Sequence, residues 1–189
     1  MLFAQQESSP PNVLRQPRWY LGATASGGFS VLEVTSPVFP TANRTVSSLA
    51  LGFHIGDIIT RENQRGISRG TFEWDFDVIP VQLFWVLGTH YTGGFDTGPR
   101  WNFTHNRRRL VPFVGLAGGL TFSPRNFPPG QTMQTNFTAA ADTGTRFFIR
   151  PRRSIDVAAR VYHLSNAYLA PQNPGIPVAV QLVVGYSWY

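Results

Sequence analysis

The sequence predicts an all-β protein, and more closely an eight-stranded antiparallel transmembrane β-barrel. Apolar and polar residues alternate through segment after segment, which is the period of a β-strand, and helical periodicity is hard to find. Charged residues make up only 14% of the chain and aromatic residues make up as much. The last segment carries an unbroken apolar face that ends in aromatic residues, as the lipid-facing side of a barrel strand requires.

The first four strands are predicted at 18–31, 46–58, 70–85 and 92–104. The first follows a polar segment and has Trp19 near its start. The second and third alternate most clearly, with outward series that begin at Leu49 and at Phe72. In the fourth, Gly98, Pro99 and Arg100 are expected to interrupt the pairing, because proline has no N–H to donate.

The last four strands are predicted at 110–122, 135–149, 154–166 and 177–189. The fifth contains several glycines, and the sixth alternates from Phe137 to Thr143. The eighth places six residues on one face: Val178, Val180, Leu182, Val184, Tyr186 and Trp188. Tyr189 follows Trp188, so the terminal aromatic lies one residue beyond the usual register of outer-membrane strands.

Polar and charged residues on the opposite faces are expected to fill the interior of a small barrel. We expect them to form a structural network of paired charges rather than a catalytic site. They are Glu73, Asp75, Asp77, Asp142, Arg146, Asp156 and Arg160. A soluble β-barrel with an apolar ligand inside would alternate in the same way, and it remains the alternative fold.

The composition of the chain excludes several classes of site and function. The chain of 189 residues has no cysteine, which excludes disulfides, thiolate metal sites and cysteine catalysis. It has no apolar run of about 18 residues that would predict a transmembrane helix. The net charge of +6 comes from arginine alone, and no nucleic-acid recognition motif accompanies it. We expect residues 1–17 to be a flexible leader or signal remnant and 18–189 to be one barrel domain.

The connections differ in length. Those after strands four and six are short and basic, at 106–109 and 150–153, whereas those after strands one, five and seven are long. This asymmetry is typical of periplasmic turns and extracellular loops. The basic turns are either solvated or in contact with phospholipid headgroups.

A candidate catalytic pair lies near the end of the seventh strand. His163 and Ser165 are two residues apart, so they share a face of the strand, and that face is otherwise apolar. A serine hydroxyl needs a neighbouring base to become a nucleophile. Asn166, Asn173 and the amides around Gly175 are candidate donors to an oxyanion. The remaining histidines show no metal-ligand spacing, so we expect no metal and no cofactor.

The segment Val161-Tyr-His-Leu-Ser-Asn-Ala167, followed by Asn173-Pro-Gly-Ile176, resembles the signature of the lipid A 3-O-deacylases. These are PagL-type, acyloxyacyl-hydrolase-like enzymes of the bacterial outer membrane. The resemblance implies an active site that faces the outer leaflet. It also implies hydrolysis of the ester-linked 3-hydroxyacyl chain of lipid A in lipopolysaccharide. His163 would be the general base, Ser165 the nucleophile and Asn173 the oxyanion donor.

The chain departs from that family at one position. The family has an acidic residue where this sequence has Pro177, and no Asp or Glu follows Asp156. The acid member of the triad is therefore unassigned, and Gln172 or Glu33 is a possible substitute. The alternative function is a non-catalytic outer-membrane barrel with a structural or adhesive role.

Overall fold

The structure, a computed structural model, describes residues 18–32, 45–60, 69–104 and 109–189. The predicted leader, Glu33 and most of the basic turn at 106–109 lie outside these residues. Eight strands pair antiparallel in chain order, and β8 pairs with β1 to close the barrel. This confirms the predicted fold. The strands are β1 (Trp19–Ser30), β2 (Ser47–Ile58), β3 (Gly70–Trp85), β4 (Thr89–Phe103), β5 (Leu110–Phe122), β6 (Thr135–Arg150), β7 (Arg153–Ser165) and β8 (Ile176–Trp188).

The largest difference from the predicted boundaries is at the start of β4. It begins at Thr89 rather than at residue 92. A tight turn joins it to β3, and Leu87 and Gly88 adopt positive φ angles of 48° and 117° there. Such angles are typical of short hairpin turns. The strands can therefore pair closer to the turn than the alternation indicated.

Pro99 does not break β4. The pairing of β4 with β5 lapses between Thr97 and Arg100 and then resumes in the same register. The missing N–H of proline accounts for the local loss of pairing. The expected interruption is therefore confined to the hydrogen bonds, and the strand itself is continuous.

The barrel is apolar outside and polar inside. In β2, Leu49, Leu51 and Phe53 are 44–62% exposed, whereas the alternating residues Ala50 and His54 are buried. Large apolar side chains are likewise exposed on each of the seven remaining strands. A water-soluble protein does not expose so extensive an apolar surface. This distribution is the one that a membrane-spanning barrel requires, and it counts against a soluble barrel with His163 inside.

No helix among the described residues is long and apolar enough to span a membrane.

Paired charges fill the interior, as the sequence predicted. Arg146 is 2% exposed, and its guanidinium lies 3.1 Å from Glu73 Oε2 and 2.8 Å from Asp156 Oδ2. Arg160 binds both carboxylate oxygens of Asp142 at 2.8 Å. Buried charges require such pairing. The network therefore has a structural role inside the barrel.

The side chains of Trp188 and Tyr189 lie on opposite sides of the barrel wall. Trp188 points outward and is 47% exposed, whereas the ring of Tyr189 stacks on Tyr20 inside, 4.6 Å between centroids. Burial raises the pKa of the Tyr189 hydroxyl. Trp188 is thus the lipid-facing aromatic residue, and Tyr189 closes the interior at the end where β1 begins and β8 ends.

Apolar residues close the opposite end of the barrel. Phe127, from the loop 123–134 between β5 and β6, stacks on Phe84 at 4.8 Å. Leu164 at the end of β7 and Ile176 at the start of β8 pack in the same cluster and are fully buried. These two side chains anchor the strand ends that carry the candidate site.

Candidate active site

His163 and Ser165 lie on the outer surface of the barrel where β7 ends. His163 is exposed and Ser165 is half-buried, while the intervening Leu164 points inward. The alternation therefore places both side chains on one face, as the sequence predicted. The Ser165 hydroxyl makes no hydrogen bond among the described residues. In an enzyme without substrate the contact between nucleophile and base is often long and tightens only when substrate binds.

A β-bulge in β8 lies directly opposite His163. Tyr162 pairs with Ala179, but Leu164 pairs with Ile176, so β8 has one residue more than β7 over this interval. Bulges bend a strand and re-aim its groups. Proline is tolerated at a bulge, because the extra residue is unpaired. The sequence prediction had no bulge at this point.

The bulge brings the carbonyl oxygen of Pro177 to 2.9 Å from His163 Nδ1. A carbonyl oxygen can only accept, so Nδ1 must carry the proton and donate it. This leaves Nε2 as the nitrogen that can take a proton. The contact therefore selects the imidazole tautomer that a general base needs.

Asn166 holds the loop 166–175 in shape. Its side chain is buried, donates from Nδ2 to the carbonyl of Gln172 at 2.7 Å and accepts at Oδ1 from the amide of Tyr168 at 3.0 Å. Its own amide donates to Asn173 Oδ1 at 3.0 Å. The main-chain amide, Oδ1 and one Nδ2 hydrogen of Asn166 are thus engaged within the loop, and the side chain is buried. We therefore expect Asn166 to shape the loop instead of contacting an oxyanion directly.

Asn173 and Gly175 lie on the other arm of this loop. Asn173 Oδ1 accepts from the amide of Asn166, so the Nδ2 group of Asn173 points away from that amide. This Nδ2 group has no partner among the described residues. Gly175 has a positive φ of 52°, and a Cβ there would lie 2.5 Å from the carbonyl oxygen of Leu164. Glycine is therefore required at this position, since a side chain would push the two arms apart.

A second loop braces the first. The amide of Gln131 donates to Gln172 Oε1 at 3.0 Å, and the amide of Gln172 donates to the carbonyl of Gln131 at 3.1 Å. The side chain of Gln172 is therefore engaged with loop 123–134. It does not act as the acceptor for His163, and Glu33 lies outside the described residues.

The family model for lipid A 3-O-deacylase (PagL) matches residues 61–187, which is more than half of the chain. The chain belongs to the PagL family. A comparison with curated protein sequences finds no match.

Two solved structures share the fold. The outer membrane enzyme PagL is 16% identical with a TM-score of 0.56, and the match covers 89% of this chain and 99% of that one. Neisserial surface protein A is 12% identical with a TM-score of 0.58, and the match covers 91% of this chain and 97% of that one. At these identities the likeness shows the barrel fold and not the activity.

One interior cluster has the composition of a metal site. His54, Glu73 and Asp75 offer ligand atoms within 4.8 Å of one another. However, Arg146 binds Glu73 and the Nε of Arg100 lies 2.7 Å from Asp75 Oδ2. Because these two carboxylates are already paired with guanidinium groups, the two positive charges would repel a divalent cation. The cluster also faces the interior, whereas His163 faces outward, so the candidate site does not include it.

Two contacts that support His163 and its loop were not predicted from the sequence. The carbonyl of Pro177 and the reciprocal Gln131–Gln172 contact were not anticipated. A proline inside an apolar strand does indicate a bulge, and that signal was present. Nothing in the local sequence marks Gln131 as a partner of Gln172.

Proposed function

We propose that this protein is a bacterial outer-membrane esterase that removes the ester-linked 3-hydroxyacyl chain from lipid A of lipopolysaccharide. The observation that carries the proposal is His163 on the lipid-facing wall, with Nδ1 bonded to a carbonyl and Ser165 on the same face. Membership of the PagL family supports the substrate class.

The location of the pair suits a lipid substrate. The site lies at the barrel end with the connections 31–46, 123–134 and 166–175 and the short turn 86–88, whereas the opposite end carries 59–69, 104–109 and 151–152. The connections at the site end are therefore longer on average. In barrels of this kind the longer loops are extracellular. His163 and Ser165 would then lie at the outer leaflet, where the acyl chains of lipopolysaccharide lie against the barrel wall.

Ser165 would act as the nucleophile and His163 as the base. As Ser165 Oγ attacks the ester carbonyl, its proton passes to His163 Nε2. The tetrahedral intermediate collapses, and the sugar oxygen leaves with the proton from His163. Water, deprotonated by the same imidazole, then hydrolyses the acyl-enzyme and releases a 3-hydroxy fatty acid with Ser165 regenerated.

Asn173 would stabilise the oxyanion. Its Nδ2 group is a donor without a partner among the described residues, and the bond from Asn166 to Oδ1 fixes the plane of the amide. Preorganised donors are effective because they need no reorganisation when charge develops. The backbone around Gly175 is the second candidate donor.

The test is to incubate the purified protein in detergent micelles with lipopolysaccharide and to analyse lipid A by mass spectrometry. We expect loss of one 3-hydroxyacyl chain and release of the free fatty acid. Ser165→Ala and His163→Ala should each lower the rate by at least about a thousand-fold, as in other serine hydrolases. Heat-dependent gel mobility reports whether each variant is folded.

Ser47→Ala is the matched control. Ser47 is also exposed on the outer wall, in β2 near the same barrel end, and it should tolerate the change. Release that persists in Ser165→Ala contradicts the mechanism. A folded parent protein that releases nothing supports the alternative of a non-catalytic barrel.

A further inference from the structure

We propose that the backbone carbonyl of Pro177 takes the place of the carboxylate that the PagL family has at this position, and that it orients His163 for catalysis. This inference rests on the proposed esterase function. It makes Pro177 a positioning residue whose contribution comes from its main chain.

The surroundings of His163 offer no charged alternative among the described residues. The outer faces of β6, β7 and β8 beside it carry apolar or small side chains: Phe137, Ala139, Ala141, Val161, Val178 and Val180. The carboxylates on β6 and β7, Asp142 and Asp156, bind arginines inside the barrel. Loop 166–175 contributes Tyr168 as its one titratable side chain.

The bulge explains how a main-chain group can reach the imidazole. In a regular antiparallel ladder the carbonyl groups bond across to the neighbouring strand. The extra residue of a bulge leaves the ladder, and its carbonyl becomes available to another donor. Pro177 also has no N–H, so its place in the bulge loses no ladder donor.

The substitution has a defined chemical consequence. In serine proteases an amide in place of the acid selects the wrong imidazole tautomer and lowers the rate by about 10⁴-fold. A main-chain carbonyl cannot donate, so the productive tautomer is retained. A neutral acceptor stabilises the imidazolium less than a carboxylate does. The site should therefore keep the orientation of the base and lose only part of its charge stabilisation.

The test weakens this carbonyl without changing a side chain. It also removes the Val178 N–H, and the control ester below removes an N–H of the same kind. Val178 is replaced by its α-hydroxy acid, so that the linkage from 177 to 178 becomes an ester, whose carbonyl is a poorer acceptor. Residues 170–189 are made as a synthetic peptide with cysteine at 170 and ligated to residues 1–169. Because the chain has no cysteine, desulfurisation then restores Ala170 selectively.

We expect the ester to lower kcat by about tenfold with KM unchanged, and to move the acid limb of the pH–rate profile to lower pH. The matched control has an ester in place of the peptide bond between Val180 and Gln181, in the same strand but away from His163. It should leave kcat and the pH–rate profile unchanged. Equal kcat and pH profiles in the two esters would overturn the proposal.

A readout without catalysis separates this proposal from the proposed function. In the all-amide parent with a neutral imidazole, ¹⁵N shifts of His163 should show a protonated Nδ1 and an unprotonated Nε2. A protonated Nε2 overturns the proposal, whether or not the protein is active. Pro177→Ala keeps the carbonyl and should retain this tautomer, and loss of the tautomer there also counts against the proposal. If the tautomer is as expected but lipid A is not cleaved, only the esterase function fails.

Discussion

His163 Nδ1 and the carbonyl oxygen of Pro177 lie 2.9 Å apart across β7 and β8. The contact joins a side chain on the lipid-facing wall to the main chain of a bulge. It supplies a neutral acceptor where the PagL family has a carboxylate. A side-chain carboxylate at position 177 would offer His163 a stronger acceptor, which leads to the first prediction.

Pro177→Glu should raise kcat, by about tenfold. A carboxylate at this position can replace the carbonyl as the acceptor, and charge-assisted hydrogen bonds are roughly twice as strong as neutral ones. A carboxylate also favours the protonated imidazolium, so the acid limb of the pH–rate profile should move to higher pH. Rates of fatty acid release between pH 5 and 10 measure both effects.

Pro177→Gln is the control for this change, because it has the same length and no charge. It should leave the acid limb where the parent has it. If Pro177→Glu and Pro177→Gln have the same rate and profile, the added carboxylate does not reach His163.

Asn173→Asp should lower kcat by about 10²-fold to 10³-fold while the barrel stays folded. The aspartate keeps an oxygen that accepts from the amide of Asn166, but it loses the Nδ2 donor and brings negative charge to the oxyanion. Its kcat and KM on lipid A, with heat-dependent gel mobility, separate chemistry from folding. A kcat close to that of the parent would exclude Asn173 as the oxyanion donor.

Gln172→Ala should loosen the active-site loop. The change removes the acceptor of the Gln131 amide, and a hydrogen bond of this kind contributes about 1 kcal/mol. Hydrogen exchange within 166–175 should become faster, and kcat should fall a few-fold. Gln134→Ala is the control, because Gln134 bonds within loop 123–134 to the carbonyl of Pro124. Similar exchange rates in the two variants would contradict the bracing role.

Arg146→Met should destabilise the barrel by about 3–5 kcal/mol, because it removes the closer of the two guanidinium groups beside the buried Glu73 and the partner of Asp156. Arg18→Met should cost at most about 1 kcal/mol, because the Arg18–Asp57 pair is exposed. Urea unfolding in detergent, followed by tryptophan fluorescence, gives both free energies. Equal losses would mean that the interior network is not structural.

Much of the fold could be predicted because alternation is a local property. The outward series that begins at Leu49 specifies both a strand and the face that meets lipid. The inward position of the charged side chains, from Glu73 to Arg160, follows from the same alternation. The one misjudged boundary, at Thr89, depends on a turn geometry that alternation does not report.

The site was predictable only in part. The spacing of His163 and Ser165 places them on one face of any strand. The bulge opposite them was not predicted, because it depends on how β7 and β8 align over a particular pair of residues. The reassigned role of Asn166 likewise depends on the path of a loop whose two arms meet only in the folded chain.

The sequence by itself determined an eight-stranded barrel with an apolar exterior and a histidine and serine on its outer wall, because strand period and composition act residue by residue. The tertiary structure alone decided what lies behind the histidine. The bulge at Pro177 and the contact between Gln131 and Gln172, 41 residues apart, arise from strand register and loop packing. These are set by the balance of all the pairings in the closed barrel, and no short stretch of sequence contains them.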